Sequence, residues 1–318
     1  MATLSKLQVK RFTRETTNHE PKKRISGSRI LMWLFLILLL FVTIFPLYWV
    51  IRTAVTPPKK VYSEARALAP SDPTTQNIER VLGLISDEEL TALVKKNPTI
   101  SAGKLDFLHF VKNSCIVAGA ITAGQTFFSS LAAYAFARLR FPLRNLIFYS
   151  YLGGLMVPSI VLFIPNFVLI RNMEWIGTYK GMIAPTFLMT PFAVFFMRQF
   201  FLNLNTDLEE AAKLDGATHA GIFLKIAMPL SKGPIFTLAI LTFITSWNEY
   251  LWPFLVGRDE KVRVLTVALS VFRSQTPQGG PDWAGLMAGT IVAVIPTFLL
   301  FIFLGRKVVD SIQFSGFK

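Results

Sequence analysis

Long apolar runs separated by short polar segments dominate the chain. Residues 30–51 hold no charged side chain. At about 1.5 Å per residue, a helix of that length crosses a hydrocarbon core of about 30 Å. The pattern returns at 113–137, 146–170, 181–197, 233–256 and 284–304. It predicts an all-α integral membrane protein with six transmembrane helices. The first run is too long for a cleaved leader and no small-x-small site follows it, so it reads as an uncleaved span. The second run is rich in small residues, among them Ser114, Gly119, Gly124, Ser129 and Ser130. Such residues let membrane helices approach closely and place this span inside a bundle. Gln125 in it requires an internal partner. Pro158, Pro165, Pro185, Pro191, Pro253 and Pro296 fall within the later runs. The carbonyls they free are tolerated at membrane depth only against protein or a watery cavity.

Two polar segments carry their own helical signals. In the loop 52–108, Ser86 followed by Glu89 forms a capping box, and Leu90, Leu93 and Val94 give the short helix an apolar face. That face is expected to pack on the mouth of the bundle. The second segment, 206–229, is a polar island between the fourth and fifth runs. Thr206 with Glu209 is again a capping box, and Glu209 with Lys213 is an i,i+4 ion pair in the favourable order. Leu208, Ala211, Ala212 and Asp215 share a face that the two alanines keep shallow. Gly216 ends the helix, Thr218 caps a second one, and Pro229 closes it. The residues alone leave two roles open: an ordinary surface helix, or a helix shaped for a protein socket.

Composition agrees with a membrane protein. The chain of 318 residues is 52% hydrophobic and 16% charged, with mean hydropathy +0.48, against about 25% charged in soluble domains. A net charge of +14 invites a nucleic-acid reading. The basic residues lie between the apolar runs and at the N-terminus, however, where anionic lipid and topology account for them, so membrane lipid and no nucleic acid is expected as partner. With the N-terminus inside, the inner segments 1–29, 138–145, 198–232 and 305–318 hold 18 Lys or Arg, and the short outer loops 171–180 and 257–283 hold 6. The excess places both termini, and the island 206–229, in the cytoplasm. The expected organisation is a cytoplasmic tail 1–29, a first span 30–51, an extracytoplasmic loop 52–108, a transmembrane domain 109–305, and a cytoplasmic tail 306–318.

Candidate chemistry is sparse. Gly216 and Gly221 have phosphate-loop spacing, but Ile222 stands where lysine is required and no strand precedes. His19, His109 and His219 are scattered, and Cys115 is the sole cysteine. No catalytic or metal-binding set emerges. Glu249 is the unusual residue. Near the outer part of the fifth span, an ion is costly unless it faces protein or water. It is either a carboxylate at the headgroup boundary or, with Trp247, Asn248, Tyr250, Trp252 and Gln125, part of a pathway for a polar solute. A self-sufficient channel or secondary transporter would need more such groups in its spans.

The island also resembles a known motif. Glu210-Ala211-Ala212, Gly216, Ile226 and Pro229 are similar to the EAA pattern of ABC-importer permeases, with Met228 where leucine is usual. Ala132-Ala133-Tyr134-Ala135-Phe136-Ala137-Arg138, Asn113-Ser114, Met156-Val157-Pro158, Trp247-Asn248-Glu249, Trp252-Pro253 and Ala288-Gly289 extend the likeness to the MalG-like carbohydrate-importer permeases over roughly residues 105–318. The tail 311–318 lacks their glycine-rich ending. The resemblance implies a type I ABC-importer permease fold in a bacterial or archaeal plasma membrane. It implies import of a sugar or related polyhydroxylated solute, glycerol phosphate being an alternative. Implied partners are a second, MalF-like permease, two ABC ATPase subunits and an extracytoplasmic solute-binding protein. No cofactor is expected on this chain, ATP and Mg being held by the ATPases, and no enzyme activity of its own. Glu209, Glu210, Ala211, Ala212, Leu214, Asp215 and Gly216 would form a coupling helix seated in an ATPase cleft.

Overall fold

A computed structural model describes residues 27–101, 106–274, 276–277 and 280–313, so most of the expected N-terminal tail lies outside the described residues. All regular structure among the described residues is helical. Two compact units are present, one ending at Tyr48 and one beginning at Trp49. The first is the greater part of α1 (Gly27–Ala54), whose leucines, isoleucines and phenylalanines are bare along its length. Side chains this apolar are stable on all sides of a helix only in lipid or against a partner.

In the second unit, α2 (Gln76–Val81) and α3 (Asp87–Lys96) belong to the long loop, followed by α4 (Phe107–Arg138). α4 starts where the Asp106 side chain accepts from the His109 N–H and runs 32 residues without a proline. It is longer at both ends than the expected span 113–137. It packs along α8 (Pro191–Leu202) and α12 (Lys232–Asn248). Gly124 is needed for a close approach, because a Cβ there would lie 2.6 Å from the Phe187 carbonyl oxygen.

The next three apolar runs are broken rather than straight. α5 (Arg144–Gly153) and α6 (Phe163–Asn172) belong to two segments, Arg144–Met156 and Ser159–Asn172, set at 95°. The bend falls at Val157-Pro158, where proline supplies no N–H and disfavours helix in the residue before it. α7 (Tyr179–Phe187) and α8 meet at 44°. Thr178 caps the first and Thr190 the second, with Pro191 in the first turn of α8. α9 (Thr206–Leu214), α10 (His219–Ile222), a π-turn at Phe223–Ala227 and α11 (Met228–Leu230) form the polar segment between α8 and α12, and α12 leaves at 80° to His219–Leu230. Pro229 does not stop this helix at its own position. The π-turn before it absorbs the missing hydrogen bond, and the chain turns at Ser231. α12 ends at Asn248, within the motif 247–253 that interrupts the fifth apolar run 233–256, and α13 (Leu251–Val256) follows the break. α14 (Leu265–Ala268) and α15 (Val271–Ser274) precede α16 (Trp283–Gln313), which carries Pro296 and continues into the expected tail 306–318. Among the described residues, three helices are long and apolar enough to cross a membrane, or up to six segments if each bent pair counts as one.

The loop 52–108 is tied to the start of α16. The Asp282 carboxylate accepts from Arg80 at 2.5 and 3.2 Å, from Ser101 N–H at 2.9 Å and from Gly285 N–H at 2.8 Å. Asn77 donates to the Ala54 and Thr56 carbonyls at 2.8 and 2.9 Å. The Arg80 and Asp282 side chains are 3% and 1% exposed. α3 differs from expectation. Both halves of its capping box form, but it buries no residue, and Leu90, Leu93 and Val94 stay half-exposed. Three apolar positions bury too little to seat it, and the loop is held at Asn77, Arg80 and Ser101 instead. Removing one partner of a buried ion pair strands the other, at about 3–5 kcal/mol. Asp282→Ala is therefore expected to lower the melting temperature of the detergent-solubilised protein steeply. Lys60→Ala, which removes an exposed contact to Asp72, should leave it within a degree or two.

Candidate functional site

A cavity of about 890 Å³ opens where the broken helices converge. Val117, Ile121 and Gln125 face it from successive turns of α4. Gly154, Leu155, Val157, Pro158, Ser159 and Leu162 line it at the 95° bend, and Pro185, Thr186 and Met189 to Phe192 at the 44° bend. Thr242, Thr245, Ser246 and Glu249 line it from α12 and its end, and Trp252 and Pro253 from α13. Its polar wall is made of hydroxyls and amides, with Asn166, Ser159, Thr186, Thr190 and Tyr151 completing it. Glu249 is the one carboxylic side chain that lines it among the described residues, and none of the lining residues is Lys, Arg or His.

The expected pathway residues divide. Gln125, Glu249 and Trp252 line the cavity. Gln125 finds its internal partner in Thr190, donating to its hydroxyl at 2.9 Å. Glu249 sits in the break between α12 and α13, where its carboxylate accepts from Leu251 N–H at 3.0 Å and Trp252 N–H at 3.3 Å. It thus caps α13, a role that a carboxylate fills well because the helix N-terminus is partly positive. Trp252 donates to the Gly181 carbonyl at 3.2 Å, which fixes its ring over the wall. Trp247 does not face the cavity. It is 3% exposed, stacks on Phe243 and donates to the Ala293 carbonyl of α16. Asn248 donates back to the Ile244 carbonyl, and Tyr250 stacks on Phe254. One helical face of the run 242–249 goes in, and the two tryptophans of the motif end on different sides.

Sequence reading passed over Thr242, Thr245 and Ser246. Their signal was present: with Glu249 they fall at i, i+3, i+4 and i+7, a polar stripe along an apolar helix. Asn166, Thr186 and Thr190 beside prolines gave a weaker one.

The polar segment between α8 and α12 holds the other expected set. α9 is capped by Asn205, whose side chain accepts from Asp207 N–H at 2.9 Å, so Thr206 is the first helical residue and its capping box does not form. At the far end Gly216 N–H bonds the Lys213 carbonyl and Ala217 N–H the Ala212 carbonyl, at 3.0 and 2.9 Å. Together these make a complete Schellman motif, with Gly216 at φ +80°. Glu209 is 6% exposed and pairs with Arg138, not Lys213. It is therefore turned away from any socket. Ala212 packs inward beside Ile222, Phe223 and Phe201. Glu210, Ala211 and Asp215 stay exposed, and Leu214 projects with 90% of its surface bare.

Residues 125–313 match the family described as binding-protein-dependent transport system inner membrane component. The chain is 31% identical over 294 residues to the arabinooligosaccharides transport system permease protein AraQ of Halalkalibacterium halodurans, covering 92% of this chain and 98% of that protein. It is 34% identical over 277 residues to the sn-glycerol-3-phosphate transport system permease protein UgpE of Escherichia coli, covering 87% and 93%. Its fold matches, with a TM-score of 0.65 at 20% identity over 88% of this chain and 98% of the other, a crystal structure of a bacterial ABC transporter involved in the import of the acidic polysaccharide alginate.

A Cβ at Gly216 meets nothing within 4 Å, so only the left-handed backbone opposes substitution. Gly216→Ala is expected to loosen the end of α9 by about 1 kcal/mol and Gly216→Asn by less. Hydrogen exchange of residues 206–214 measures the difference.

Proposed function

The chain belongs to the family of binding-protein-dependent transport system inner membrane components, and from that membership we propose that it moves a sugar or related polyhydroxylated solute inward across the membrane. It is a multi-pass membrane transport subunit and not an enzyme. In the proposed reading, α1, α4, the three bent pairs and α16 are six spans, with both termini and the inner loop in the cytoplasm. A second permease stands against it, two ATPases bind below, and a solute-binding protein delivers the solute from outside. α9 is the coupling helix, and its exposed face of Glu210, Ala211, Leu214 and Asp215 enters the ATPase. Hydrolysis there drives the permeases between inward- and outward-facing states.

The observation that carries the solute class is the wall of the cavity. Hydroxyls and amides exchange hydrogen bonds with a polyol in either direction, and Trp252 offers an apolar face to a sugar ring. The alternative, a phosphate-bearing solute, has support from the likeness to UgpE. On this wall Glu249 repels an anion and no basic side chain compensates, so phosphate would need its cations from the second permease.

The assembled complex in proteoliposomes decides the matter, with a labelled arabinooligosaccharide and labelled sn-glycerol 3-phosphate as probes. Uptake of the sugar that requires enclosed ATP is expected. ATP-independent flux through this chain alone would overturn the reading in favour of a channel or secondary transporter. Glu249→Gln keeps an acceptor for the α13 cap, so assembly should survive while uptake falls; unchanged kinetics would return Glu249 to the headgroup boundary. Asn166→Leu is expected to raise KM about fivefold, the loss of one neutral hydrogen bond of about 1 kcal/mol.

A further inference from the structure

α9 is joined to α4 through a largely buried ion pair, with the Tyr134 side chain of α4 also interacting with Glu209. Arg138 is the last residue of α4, and its Nε lies 3.1 Å from Glu209 Oε1. The two side chains are 10% and 7% exposed. A second guanidinium nitrogen donates to the Leu204 carbonyl in the linker between α8 and α9. A single arginine therefore grips both the start of the inner loop and the helix within it. The placement of opposite charges is favourable twice over, because a cation at the C-terminal end of α4 also meets the negative end of that helix. The Nε–Oε1 contact is an ion pair without an aligned hydrogen bond. Its geometry has room to tighten if α9 shifts.

α4 links this grip to everything above it. It is one proline-free helix from Phe107 to Arg138. About 20 Å above Arg138, thirteen residues at 1.5 Å each, Gln125 holds Thr190 at the cavity. Near the other end Asn113 donates to the Lys261 and Arg263 carbonyls at 3.0 and 2.9 Å and accepts from Tyr179 at 2.6 Å. Ser114 accepts from Leu265 N–H at 2.9 Å. A displacement of α9 thus reaches the cavity wall and the loop 257–264 through one stiff element.

We propose that Arg138 and Glu209 are positioning residues that transmit movement of α9 to α4, and through α4 to the cavity. This rests on the importer reading above, in which α9 is the part that the ATPases move. Breaking the pair is expected to leave ATP hydrolysis running while the cavity stops responding to it.

The test needs no identified solute. A cysteine at Ser246, in a Cys115→Ser background, reports access to the cavity through its labelling by a membrane-impermeant maleimide applied outside proteoliposomes. The assembled complex is compared with and without ATP and vanadate. The parent background is expected to change its labelling rate severalfold. Glu209→Gln, which keeps the size and one acceptor, should lose at least three quarters of that change while ATPase subunits co-purify and hydrolyse ATP as before. The exchange Arg138→Glu with Glu209→Arg should restore at least half of it. A Glu209→Gln complex that responds like the parent overturns the proposal. So does loss of ATPase co-purification in Glu209→Gln that the exchange does not repair, since that is the mark of a purely structural pair. A parent complex with no ATP-dependent change would overturn the importer reading itself, and this inference with it.

Discussion

Hydrocarbon offers no hydrogen bonds, so every backbone N–H and C=O at membrane depth must find a partner within the protein. Most of this architecture follows from that constraint. α4 satisfies it with one uninterrupted helix. The next three runs do not, because Pro158, Pro185 and Pro191 and the turn at Ser231 interrupt the ladder. Thr178, Thr190 and Glu249 supply acceptors where new helices begin. Breaks of this kind are stable only beside protein or water. The first two, with the Glu249 break beyond them, line the same cavity.

Rigid and interrupted elements therefore divide the work. α4 and its neighbours α8 and α12 form the packed centre, while the bends give the cavity its polar wall. Elsewhere, Arg80 and Asp282 hold the long loop against the start of α16, with every acceptor position of the carboxylate used. A buried pair so fully bonded is a fastening. Arg138 and Glu209 are somewhat less buried and less completely bonded, which suits a joint between parts that move. The two ion pairs differ most in hydrogen-bond completeness.

Much of this was legible along the chain. The six apolar runs, the membrane location, the capped α3, the left-handed turn at Gly216, and the likeness to importer permeases were all readable from residues close in sequence. Each depends on hydropathy, backbone propensity or a local cap, which neighbouring residues decide among themselves. The readings that failed were also local ones. A capping box was assigned to Thr206 because Asn205 was not weighed as the better cap. Lys213 was matched to Glu209 because it stood four residues away, although a buried arginine at the end of another helix was the stronger partner.

The sequence by itself determined that this protein crosses a membrane, where its apolar runs lie and which segment between them stays polar, because transfer into lipid is decided residue by residue. Only the tertiary structure decided which face of the 242–249 run meets the cavity, that Trp247 turns into the core, and that residues 202 positions apart fasten the long loop to α16. Those outcomes depend on the angles at which broken helices meet. A proline announces that a bend is possible, but the 95° and 44° values are set by what packs against each half.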